Sequence, residues 1–67
     1  MKFGTKVKVT RGSNHHAMNL REVCGTLVGA FGTDCLVRLD EDDSKAIVPP
    51  TKKGETGWWS KSAVKGR

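Results

Sequence analysis

Hydrophobic and polar positions alternate with a period of two through most of this chain, and no run carries sustained helical periodicity. Phe3, Val7 and Val9 share one parity, while Lys2, Lys6, Lys8 and Thr10 take the other. This predicts a half-buried first strand over 3–11 with a lysine outer face. Gly12-Ser13-Asn14 supplies turn chemistry, and the polar stretch after it predicts a loop over about 12–21, with Met18 or Leu20 folding back onto the core. A second strand is expected over 22–31. There Val23, Leu27 and Phe31 fall in step, and Gly25 and Gly29 lie between them on the same face, where a tightly curved sheet needs room.

Gly32-Thr33 can close a two-residue hairpin into a third strand over 34–40, which sets Ala30 opposite Cys35. The run Asp40-Glu41-Asp42-Asp43-Ser44 is too charged for a strand and reads as a solvated turn. It leads into a short strand at Lys45-Ala46-Ile47-Val48, which Pro49-Pro50 ends because proline has no ladder donor. A mobile loop is expected over 51–57. Trp58-Trp59 resumes pairing, Ser60-Lys61-Ser62-Ala63 makes one 3₁₀ turn, and a last short strand follows at Val64-Lys65. The expected fold is a single all-β domain over 1–67, a strongly bent antiparallel five-stranded sheet with long loops at about 12–21 and 49–57.

Composition narrows the function. A chain of 67 residues hides only about 60% of the surface that its unfolded form exposes. One thin core fits; an enclosed substrate cavity beside it does not, so a non-catalytic role is expected. No stretch approaches the roughly 18 apolar residues of a membrane span, and the N-terminus alternates lysine with apolar residues, so a cytoplasmic protein with no membrane partner is expected. The hairpin offsets Cys24 from Cys35 by about six positions at roughly 3.3 Å each. That exceeds the reach of a disulfide, and both should be free thiols.

The net charge of +5 is unevenly distributed. Basic residues dominate 1–22 and 45–67, and acidic residues dominate 34–43. An electrically polarised molecule is expected, its acidic turn opposed to basic chain ends, with a field able to orient a polyanion.

This order of signals resembles the SH3-like barrel superfamily, in particular its KOW-like members. The resemblance rests on Gly4-x-x-Val7-x-Val9, on Gly25-Thr26-Leu27-Val28-Gly29, on Val37-Arg38-Leu39-Asp40 and on Trp59-Ser60-Lys61-Ser62-Ala63-Val64. It implies a five-stranded barrel whose first and last strands are neighbours. The same outline serves KOW domains of ribosomal and transcription proteins, a small photosystem I subunit and the plasmid-type dihydrofolate reductase. The reductase uses a strand bearing glutamine and tyrosine, and this chain has no tyrosine.

The leading candidate site is a basic surface of Lys6, Lys8, Arg11, Lys52, Lys53, Lys61 and Lys65, with Arg67 in the tail. Such cations bind nucleic acid, DNA or RNA, largely through backbone phosphates, by releasing counterions; alternatively they keep a small sheet soluble and guard its edges. Trp58 and Trp59 are the second candidate. Neighbouring strand residues face opposite ways, so at most one indole can sit in the core and the other is at least partly exposed, where it can stack on a base or, with the two long loops, receive a larger protein partner. Alternatively the pair is a lid over the barrel end. His15, His16, Cys24 and Cys35 lack zinc-site spacing, and 40–43 lacks the calcium-loop pattern, so no metal or cofactor is expected.

Overall fold

The computed structural model describes residues 2–11, 21–46 and 49–67. Five strands form one antiparallel sheet: β1 (Lys6–Arg11), β2 (Arg21–Phe31), β3 (Asp34–Leu39), β4 (Thr56–Ser60) and β5 (Val64–Gly66). Their order is β4-β3-β2-β1-β5, which sets the first and last strands side by side. A single 3₁₀ turn, Lys61–Ala63, joins β4 to β5, and the Ser60 hydroxyl caps it by accepting the Ser62 N–H at 3.3 Å.

Curvature originates in β2. Its first part pairs with β1, from Arg21↔Arg11 to Thr26↔Lys6, and its last part with β3, from Gly25↔Leu39 to Phe31↔Asp34. A strand shared in this way must bend, and Gly25 allows it: a Cβ there would lie 2.5 Å from Val37 Cγ1 and 2.8 Å from the Arg38 carbonyl oxygen. A bulge follows at Val28, where the register jumps from Leu27↔Val37 to Gly29↔Leu36. The sheet curls far enough for Arg11 on β1 to reach the Trp59 ring on β4, 5.6 Å from its centroid.

Inward parity supplies the core of Val7, Val9, Val23, Leu27, Cys35, Val37, Leu39 and Val64, with Trp59 packed against it. Cys24 lies on the other face, and both cysteines are free.

Several expectations need correction. Phe31 does not share the core face: it is 82% exposed, because the extra residue at Val28 inverts the parity of the rest of β2. Phe3 is likewise exposed, since β1 begins only at Lys6 and Gly4 turns the chain before it with φ +86°. Lys45 and Ala46 form a turn held by Asp43 instead of a strand; Ile47 and Val48 lie outside the described residues, as do Met18, Leu20, His15 and His16. The expected loose loop over 51–57 is a tied turn running into β4. Leu39 N–H donates to the Glu55 carbonyl, and Glu55 Oε1 accepts from the N–H of Thr51 and of Lys52.

Candidate nucleic-acid interface

Strand alternation assigns each candidate to a face. Lys6 and Lys8 project outward from β1, with Lys65 of β5 directly across from Lys8. Beside them in the sheet, the row Lys6, Thr26, Arg38 and Thr56 crosses β1, β2, β3 and β4 on this same outer face. The next rows toward the hairpin carry Leu36 opposite Trp58, and Phe31 opposite Asp34. Trp58 is 55% exposed and shares a shallow groove with Phe31 and Asp34. Two large aromatics therefore share the outer face with Lys6, Lys8, Arg38 and Lys65, and with the carboxylates of Asp34 and Asp40.

The other basic residues are placed differently. Arg11 faces inward, its side chain nearly buried. Its guanidinium donates to the Pro50 carbonyl, lies 3.2 Å from Asp43 Oδ2 and covers the Trp59 ring. Arg11 thus belongs to the interior edge of the domain rather than to the exposed surface. Lys52 and Lys53 sit in the turn before β4, where their backbone N–H groups donate to Glu55 and Asp42. Lys61 lies at the opposite end of β4 and lines, with Phe3, Leu27, Ala30, Cys35 and Val64, a largely apolar cleft of about 280 Å³. In the sheet order, Lys52, Lys53 and Lys61 accompany one edge strand, β4, while Lys65 is on the other edge strand, β5, with Lys8 on β1 beside it. Of the two indoles, Trp59 packs on the core and Trp58 is on the surface, as alternation requires.

The acidic segment does not stand opposed to the basic strands; it folds back onto them. Asp43, only 5% exposed, is held by both Arg11 and Arg21, with Arg21 Nη2 2.8 Å from each carboxylate oxygen and Nε 3.1 Å from Oδ1. Asp40 gathers Arg67 at 2.6 Å, the Thr26 hydroxyl at 3.0 Å and Lys6 at 3.7 Å. Burial pushes the Asp40 carboxyl up, but hydrogen bonds from Thr26 and Arg67, with the charges of Lys6 and Arg67, outweigh it and hold the group below the ordinary aspartate range. Among the described residues, Lys8, Lys52, Lys53, Lys61 and Lys65 form no ion pair, and neither does Arg38.

Phe31 and Arg38 complete the outer surface without having been singled out by sequence. Arg38 was legible from its alternation with Val37 and Leu39. Among the described residues no three His, Cys, Asp or Glu side chains cluster as metal ligands, and no helix is long and apolar enough to cross a membrane. No family model, curated protein or solved structure matches this chain.

Proposed function

We propose that this chain is a small, non-catalytic nucleic-acid-binding module, its sheet curled in the manner of an SH3-like barrel, acting in the cytoplasm without a cofactor. One observation carries the reading: exposed Trp58 and Phe31 share a sheet face with Arg38, Lys6, Lys8 and Lys65. Aromatic side chains offer stacking surfaces to unpaired bases, and cations along the same face neutralise the phosphates between them. The combination favours single-stranded DNA or RNA, since a duplex hides the faces of its bases. Lys52, Lys53 and Lys61 extend the cationic surface at the β4 edge. The free thiols fit a reducing compartment.

Fluorescence anisotropy with a labelled single-stranded oligonucleotide tests this. Affinity should fall steeply as salt rises from about 50 to about 200 mM. Trp58→Ala should cost about 1–3 kcal/mol of binding, and Lys8→Glu with Lys65→Glu should flatten the salt dependence. Absence of binding at about 50 mM salt, where phosphate contacts are strong, would refute the proposal. A second reading, docking onto a larger protein with Trp58 as the exposed member of the Trp58/Trp59 pair, is favoured by that indole lying on an edge strand. It predicts an association that nuclease treatment and salt leave intact.

A further inference from the structure

Strand β4 is an edge of the sheet, and its sequence, Thr-Gly-Trp-Trp-Ser, carries none of the usual safeguards against pairing. The opposite edge, β5, is three residues long and carries Lys65. β4 has five residues without a charge or a proline, and its central indole is exposed. An uncharged edge with an outward aromatic is a template for another strand.

The phase of the β3–β4 ladder fixes which backbone groups are available. Leu39 N–H donates to the Glu55 carbonyl, and Lys61 N–H donates to the Thr33 carbonyl. With the pairs Val37↔Gly57 and Cys35↔Trp59 between them, antiparallel alternation turns the backbone of Gly57 and Trp59 toward β3 and that of Thr56, Trp58 and Ser60 away from it. Trp58, at the centre, thus directs both its N–H and its C=O outward. The Ser60 carbonyl turns into the 3₁₀ turn that this residue caps, which leaves its N–H directed outward.

We infer that β4 pairs with β4 of a second copy of this chain, antiparallel about a two-fold axis at Trp58. In that register the two Trp58 residues exchange both backbone hydrogen bonds, and each Ser60 N–H donates to the partner's Thr56 carbonyl. Register and charge agree: the residue that meets Glu55, just before β4, is Lys61 of the partner, just after it, and the axis repeats this opposite-charge pair. The paired indoles meet on the outer face beside Leu36, which lies opposite Trp58. The partner is a second copy because the same edge supplies both members of the charge pair, as a self-complementary two-fold interface demands. The inference stands apart from nucleic-acid binding and is tested without any nucleic acid.

Sedimentation equilibrium over a concentration series, with the full chain, should show a reversible monomer–dimer equilibrium. Trp58→Lys should leave a folded monomer. Lys61→Glu sets like charges opposite one another and should weaken the dimer about tenfold; adding Glu55→Lys should restore it. In wild-type protein, hydrogen exchange at the Trp58 amide should slow as concentration rises, while Gly57 and Trp59, already bonded to β3, should not respond. A monomer throughout, or a dimer indifferent to both Trp58→Lys and Lys61→Glu with no concentration-dependent protection at Trp58, would overturn the inference.

Discussion

A buried carboxylate shared by two guanidinium groups makes Asp43 the most exacting single residue in the domain. It accepts from Arg21, contacts Arg11, receives the Lys45 N–H, and through its own backbone ties to Thr51 and Ala46. The pair Arg11–Asp43 also joins β1 to the segment after β3. Removing one member of a buried ion cluster strands the rest without compensation, at a cost of about 3–5 kcal/mol. Asp43→Ala should therefore lower stability to denaturant by about that amount, whereas Glu22→Ala on the exposed face of β2 should change it by less than about 0.5 kcal/mol. Equal effects of the two would show that the clasp contributes nothing.

At the scale of elements, β2 decides the shape, and its tightest point is Gly25. Gly25→Ala forces a methyl group onto Val37 and the Arg38 carbonyl, which overpacks the bend and should cost about 1–3 kcal/mol. At Gly66 nothing lies within 4 Å of an added Cβ, so Gly66→Ala should be nearly silent; urea melts of the two variants supply the comparison. The two-residue hairpin, the 3₁₀ turn and the division of labour between Trp58 and Trp59 were all legible from alternation and turn chemistry. The strand at 56–60 was not fully legible, because Thr56 and Gly57 are weak strand signals and their pairing depends on β3 across the turn. Phe31 was misplaced although the signal was present: once Ala30 faces Cys35, whose parity is that of Val37 and Leu39, Phe31 must face outward with Asp34. An 11-residue strand in perfect step cannot satisfy both ends, and the bulge resolves the conflict.

For the molecule as a whole, the charge map changes once the chain is folded. Block sums along the sequence suggest a dipole, yet Asp40 and Asp43 are spent on Lys6, Arg67, Arg11 and Arg21. Linear order could not reveal this, because the contacts join residues that lie far apart in sequence. The Asp40 group links β1, β2 and the C-terminal Arg67, and its titration should be felt by the entire fold. Its folded pKa lies below the unfolded one, so its stabilisation is complete above the ordinary aspartate value of about 3.9 and disappears as pH falls through the folded value. Wild-type stability should consequently decline in that acidic window, and Asp40→Asn should flatten the decline there. Identical pH profiles for the two proteins would remove Asp40 from the account.

The extra residue in β2 has a consequence of a different kind. Whether the aromatic at position 31 is a buried filler or a contact surface is settled by counting residues and not by side-chain chemistry. A chain lacking Val28 would alternate without a break from Leu27 to the hairpin and keep Phe31 opposite Asp34 on the outer face, whereas a chain that kept Val28 in regular register, with no bulge, would turn Phe31 inward. Among similar small sheets, a single bulged residue can thus create or erase a sticky surface while the composition stays the same.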